Sequence, residues 1–215
     1  MGVAELTQTE VITLPVGAHT IEVEVAADLD ALMQSGLRND DLPCWAYVWP
    51  SGRALVGLLA DLEDLSGRRV LDLGCGPGAV GLAAGRLGAD VVFADLSPGA
   101  VALATRNAER NGLDTAQVLE LDWNAPPADL GTFDMVVGAD LFYADGLLRG
   151  VLRFLKGHLR PDGIAYLADP GRVMPGGVAG AARLSGLEVR EHALAQERAL
   201  GNVTVYAVQR RPRRL

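Results

Sequence analysis

The chain of 215 residues is 49% apolar, enough for one domain with a sizeable core and too apolar for disorder. Its formal net charge of −8 argues against a general nucleic-acid binder, which presents a basic face, and suits cationic or small ligands. Two cysteines, Cys44 and Cys75, build no disulfide framework, and three scattered histidines offer no metal-ligand cluster, so a reducing, cytoplasmic setting without a metal is expected.

The opening MGVAELTQTEV has neither a basic n-region nor an apolar run, so no secretory signal is expected. Residues 9–14 and 19–25 alternate apolar and polar around Pro15–Gly17, the pattern of a β-hairpin with one wet face. A short helix is expected over 28–36, ending at Gly36. The stretch PCWAYVWPSG (43–52) then sets Trp45, Tyr47 and Trp49 between Pro43 and Pro50. Trp49 directly precedes a proline, which biases it toward extended backbone and makes this aromatic connector a candidate lid. Leu55, Leu58, Leu59 and Leu62 recur at helical spacing and predict a helix over 51–65, with Ser51 as cap and Gly67 as stop.

Strands and helices then alternate. Strands are predicted over 68–74, 90–95, 116–122, 133–140 and 163–169, with helices over 79–88, 97–112 and 146–159 between them. A helix over 176–186 and two closing strands, 187–194 and 203–210, complete the pattern. Parallel neighbours need crossover helices, so the expected architecture is α/β: a Rossmann-like, doubly wound, mostly parallel seven-stranded sheet whose last strand is antiparallel. Residues 1–65 are expected to form an N-terminal hairpin, lid and helix packed on a core of 66–210, with 211–215 a basic tail. No apolar stretch approaches the ~18 residues of a membrane span.

VLDLGCGPGAVG places Gly74, Gly76 and Gly78 between the first core strand and its helix, where backbone can approach a ligand closely. The same run fits a dinucleotide fingerprint, and Asp95 at the end of the second core strand suits ribose hydroxyls in either case. Asp72, two residues before Gly74, is badly placed for a pyrophosphate and better matched to a cationic amino-acid moiety. S-adenosylmethionine carries an ammonium and a sulfonium and no phosphate, and is favoured over NAD. Asp122 and Trp123 end the third strand, offering adenine an acceptor and an aromatic wall. Each residue also has a plainer reading: Asp72 paired with Arg68 or Arg69, Asp95 capping the next helix, Trp123 in the core.

VLDLGCGPG, FADLSP and LDW resemble the cofactor motifs of class I S-adenosylmethionine-dependent methyltransferases. With YVWPSGRALVGLLA, VVGADLFYADGLL and ADPGR, the chain is similar to their seven-β-strand lysine methyltransferase group. That group includes the electron-transfer-flavoprotein β-subunit lysine methyltransferases and bacterial proteins labelled nicotinamide N-methylases. The resemblance implies that Trp49 walls the cofactor pocket, Gly74 and Gly76 hold the methionine part, and Asp95 the ribose. It gives Asp122 and Trp123 to the adenine, a backbone contact to Ala139, and the D-x-x-Y element, Asp140 and Tyr143, to the methyl acceptor.

A lysine acceptor must lose a proton before it attacks, and a carboxylate such as Asp140 is suited to bind and orient the ammonium. The plainer reading of Asp140 is the N-cap of a helix over 144–157. The run Asp140–Leu141–Phe142–Tyr143 lacks the prolines of base-amine methylases, which again argues against a nucleic-acid substrate. Arg172, in ADPGR after the fifth core strand, reads either as a carboxylate-binding group or as a solvated loop residue. The expected activity is methyl transfer to a protein lysine. The alternatives are a small heterocyclic or amine metabolite as acceptor, or cofactor binding without catalysis. The sequence leaves the oligomeric state open, a monomer being compatible with it.

Overall fold

A computed structural model of the chain describes residues 8–28, 43–62, 64–144, 146–172, 177–192 and 202–211. The alternating N-terminal stretch forms a hairpin of β1 (Thr9–Val16) and β2 (His19–Ala26), paired antiparallel from Thr9↔Ala26 to Val16↔His19. Its period-two pattern has a physical outcome: Leu14, Val16, Ile21, Val23 and Val25 are buried in one core with α1 (Pro50–Ala60) and α2 (Ala79–Arg86), while Thr13, Pro15, Thr20 and Glu22 at alternate positions are exposed.

The main sheet contains β3 (Arg69–Leu73), β4 (Asp90–Asp95), β5 (Gln117–Glu120), β6 (Phe133–Ala139), β7 (Leu159–Asp169), β8 (Leu187–His192) and β9 (Thr204–Arg210). Their spatial order is β5-β4-β3-β6-β7-β9-β8, parallel except for β9, which runs antiparallel to both β7 and β8. The remaining helices are α3 (Pro98–Arg110), α4 (Leu147–His158) and α5 (Gly177–Leu184). One apolar cluster lies on the α1–α2–α3 face, with Leu55, Leu82 and Phe93 fully buried. The other includes Leu152 and Leu155 of α4 and Ala182 of α5. Strand order reverses beside β3, so the crevice at the strand C-termini opens next to the glycine loop.

Helix α1 and strand β7 differ in their bounds from the sequence-based expectation, and β1 runs on through Pro15 and Val16, which the sequence reading places in the turn. Helix α1 starts at Pro50, with Trp49 as N-cap in extended conformation (φ −65°, ψ 160°), and ends at Ala60. Proline suits the first helical position because its fixed φ is helical and its missing N–H is not needed there. Ser51 therefore falls inside the helix and is fully buried rather than capping it. Past Ala60 the chain leaves the helix so that the Leu65 N–H can bond Leu87 O (2.8 Å), which aligns it for β3. Strand β7 starts at Leu159 instead of 163, because Leu159 pairs with Phe133 across a register irregularity. The helix expected over 28–36 and the tail beyond residue 211 lie outside the described residues.

Candidate active site

The turn after β3 is built on left-handed backbone: Gly74, Gly76 and Gly78 have φ of +64°, +54° and +86°. A Cβ on Gly74 would stand 2.5 Å from Leu141 Cδ2, and one on Gly76 would stand 2.8 Å from the carbonyl oxygen of Trp45. Side chains are thus excluded from the turn on both counts, by φ and by space. The loop lies under the 3-10 turn Cys44–Ala46 on one side and Leu141 on the other. The ring of Trp123 stands next to it, 3.9 Å from the same Gly74 position.

Asp95, at the C-terminal end of β4, faces this loop. Its Oδ2 accepts the Gly76 N–H at 2.9 Å and its Oδ1 the Ser97 N–H at 2.9 Å. Desolvation raises the pKa of this carboxyl, partly offset by the backbone N–H groups of Ser97, Gly76 and Leu96. The Ser97 bond gives Asp95 part of the helix-start role read from the sequence, although the N-cap of α3 is Ser97 itself. Asp72 lies deeper, 2% exposed, and its Oδ2 accepts the Gly81 N–H of the first turn of α2 at 2.7 Å. Arg69, one of its possible sequence partners, turns away: its guanidinium donates to the carbonyls of Leu130 and Thr132 and covers the Phe133 ring. Burial pushes the Asp72 carboxyl up to about 8; the Gly81 bond opposes this and the nearby Asp95 charge adds to it.

At the end of β6, Ala139 pairs with Ala168 of β7, and the next residue, Asp140, has φ +57° with its N–H bonded to Ala168 O (2.9 Å). A positive φ on a non-glycine residue is a costly conformation, held here by that bond. Asp140 does not cap α4, whose N-cap is Gly146. Its Oδ1 instead forms an ion pair with Arg172. Its Oδ2 is buried and has no hydrogen-bond partner among the described residues. Arg172 is placed by the turn after β7, where Asp169 Oδ2 accepts the N–H groups of Gly171 (2.9 Å) and Arg172 (2.7 Å). Tyr143 is 68% exposed on the same rim.

The remaining sequence-selected residues surround this crevice at different depths. Trp49 is half-buried, donates its indole N–H to Cys44 O (2.9 Å) and packs edge-on against Tyr47 at 5.3 Å. Asp122 is exposed and its Oδ1 accepts the Asn124 N–H at 2.8 Å. Trp123 is half-buried against the α4-side core, its indole nitrogen buried without a partner among the described residues. Sequence reasoning missed Leu96 and Leu141. Leu96 is 61% exposed directly after Asp95, and an apolar residue inside the polar turn ADLSP was the available signal. Leu141 sits against the glycine loop, a contact made only by the fold.

Residues 70–163 match the family described as "Methyltransferase domain". The electron transfer flavoprotein beta subunit lysine methyltransferase of Danio rerio is 37% identical over 133 residues, covering 60% of this chain and 51% of that one. The protein N-lysine methyltransferase METTL21A of Danio rerio is 35% identical over 130 residues, covering 57% and 59%. The chain thus spans about half the length of the flavoprotein-named relative. Among solved structures, the T. thermophilus 16S rRNA methyltransferase RsmC, in complex with AdoMet and guanosine, superposes with a TM-score of 0.70 at 21% identity. That match covers 95% of this chain and 51% of RsmC, and it speaks to the fold alone. Over residues 70–163 the chain thus matches a methyltransferase domain, it is similar to the protein lysine methyltransferases among its relatives, and it shares the fold of S-adenosylmethionine-dependent methyltransferases.

Proposed function

We propose that the protein transfers a methyl group from S-adenosylmethionine to the side-chain amine of a protein lysine, with Asp140 as the acceptor-binding carboxylate. The residues present fit the cofactor. Glycine positions with no room for a Cβ, and an acid, Asp95, that accepts the Gly76 N–H, suit a ligand that lies close against the backbone and is cationic at this end. In this reading Gly74, Gly76 and Gly78 admit the methionine end with Asp72 beneath, and Asp95 takes the ribose hydroxyls. Leu96, Asp122 and Trp123 flank the adenine, while the Ala139 backbone and Trp49 complete the wall.

When bound, the cofactor supplies an electrophilic methyl carbon on a sulfonium. The chain's own task is alignment and proton handling. Asp140 is the single feature that carries the proposal: one carboxylate oxygen is tied to Arg172, and the other is buried with no hydrogen-bond partner among the described residues. That free oxygen accepts a hydrogen from the incoming ammonium and fixes the direction of the nitrogen. The ammonium gives up its proton before the nitrogen–carbon bond forms and the carbon–sulfur bond breaks, and the solvent-facing rim is its exit. Tyr143, exposed beside it, packs along the lysine stem, and its exposure favours an acceptor carried on a macromolecule. The names of the relatives, a flavoprotein-subunit lysine methyltransferase and a protein N-lysine methyltransferase, support the same acceptor class.

The test incubates purified protein with radiolabelled S-adenosylmethionine and a cell lysate separated by size. Label in discrete protein bands supports a protein lysine acceptor. Label confined to the small-molecule fraction moves the acceptor to an amine metabolite and overturns the protein reading.

A further inference from the structure

Two asparagines on one face of α3 hold the N-terminal hairpin. Asn107 Oδ1 accepts the Glu24 N–H at 2.7 Å and its Nδ2 donates to Glu24 O at 3.0 Å. One turn later, Asn111 Oδ1 accepts the Glu22 N–H at 3.0 Å and its Nδ2 donates to Glu22 O at 2.7 Å. Four residues of helix advance ~6 Å and two residues of strand ~6.8 Å, so the two amides match successive outward-facing peptides of β2. They stand in for a third strand on that edge. Glu24 adds an ion pair to Arg106 at 3.2 Å and a longer one to Arg110 at 3.8 Å.

The two asparagines differ in one respect. The second amide hydrogen of Asn111 goes to the Asn107 carbonyl in its own helix, at 2.8 Å. That of Asn107 goes to Pro77 O at 2.8 Å, in the middle of the glycine loop. Asn107 is fully buried, so both of its donors must be satisfied by the protein. The flanking loop N–H groups are tied elsewhere, Gly76 to Asp95 Oδ2 and Gly78 to Cys75 O. The peptide between Pro77 and Gly78 is therefore oriented by an amide that also grips the hairpin backbone.

We propose that Asn107 is a positioning residue for the cofactor: it sets the glycine loop through Pro77 and couples the loop's shape to the docking of the hairpin. The inference rests on the cofactor reading above and concerns a residue outside the site itself. Removing the Asn107 amide frees the loop peptide and loosens β2. Removing the Asn111 amide loosens β2 alone.

The experiment titrates S-adenosylhomocysteine calorimetrically into the wild type, Asn107→Ala and Asn111→Ala. Both variants lower the melting temperature, but Asn107→Ala weakens binding by about tenfold or more, the worth of one buried hydrogen bond, while Asn111→Ala changes it less than about threefold. Equal affinities for wild type and Asn107→Ala, or equal losses in both variants, overturn the positioning role. Should Asn107→Ala fail to fold, hydrogen exchange on the wild type decides: S-adenosylhomocysteine slows exchange at the Glu24 amide if loop and hairpin are coupled. Protection confined to the loop, with β2 unchanged, overturns the proposal. A wild type that binds no S-adenosylhomocysteine overturns the cofactor reading and the positioning role with it.

Discussion

Arg172 and Asp140 form an ion pair across the ends of β7 and β6, joining the ADPGR turn to the D-x-x-Y element. The Asp169 carboxylate sets the turn by accepting two of its backbone N–H groups, and the guanidinium in turn fixes one oxygen of Asp140. The other oxygen is left for the acceptor amine in the proposed reaction. Replacing Arg172 by Ala frees the carboxylate to rotate, and a misplaced binding group of this kind costs on the order of 10- to 100-fold in methyl transfer. Arg172→Lys restores part of the loss. S-adenosylhomocysteine affinity stays unchanged in both variants, because the pair lies on the acceptor side. Initial rates on lysate protein with labelled donor, set against calorimetric titration, check the split.

The buried Asp72 makes stability depend on pH. Its carboxyl rises from an ordinary 3.8 to about 8 on folding, so the folded protein holds a proton that the unfolded chain has released. Stability therefore falls as pH rises through that window, and the loss is complete above it. Asp72→Asn keeps an acceptor for the Gly81 N–H and cannot ionise. Thermal melts without cofactor at about pH 6 and about pH 9 should show the variant gaining on the wild type toward the alkaline end. A constant difference between the two curves would contradict a buried, proton-holding Asp72.

Glu24 works in the opposite sense. Its hydrogen bond from Arg106 lowers its pKa against the opposing effect of burial, with the charges of Arg106 and Arg110 assisting. The stability it contributes is present above the ordinary carboxylate value of 4.5 and is lost as pH falls through the lowered one. Glu24→Gln is accordingly expected to destabilise the protein at about pH 7, with the difference from the wild type shrinking as the pH is lowered below the ordinary carboxylate value, read again by thermal melts.

Two glycines give opposite outcomes. Gly76→Ala places a Cβ 2.8 Å from the Trp45 carbonyl on backbone of φ +54°, so the turn or the overlying connector must move. Both the melting temperature and S-adenosylhomocysteine affinity should drop, the latter by about tenfold or more. Gly57, on α1, has open space around its Cβ position, and Gly57→Ala is expected to stabilise by ~0.5–1 kcal/mol with binding unchanged. Chemical denaturation and titration of the two variants side by side separate these effects.

Much of the architecture was legible because burial imposes periods on the chain. The hairpin is legible in the alternation that sets Leu14, Ile21, Val23 and Val25 on one face, each of which is buried. The order strand–glycine loop–helix marks the end of β3 beside which the strand order reverses. What stayed hidden depends on contacts distant in sequence. Arg172 lies 32 residues from Asp140, and their meeting follows from the Ala139↔Ala168 register. Asn107 lies 83 residues from Glu24, and nothing local to α3 says that its amide faces a strand. The start of α1 was misplaced for a local reason: the serine looked like a cap, but the proline before it had already begun the helix.

Whether Asp140 receives a lysine amine for methyl transfer is read most directly by comparing the wild type with Asp140→Ala. Each is incubated with labelled S-adenosylmethionine and lysate protein, the label is traced to side chains by mass spectrometry, and S-adenosylhomocysteine binding is titrated in parallel. Label is expected on lysine with the wild type, with a loss of about 100-fold or more in the variant and equal cofactor affinity in both. Undiminished transfer by Asp140→Ala, or label on side chains other than lysine, would contradict that role of Asp140.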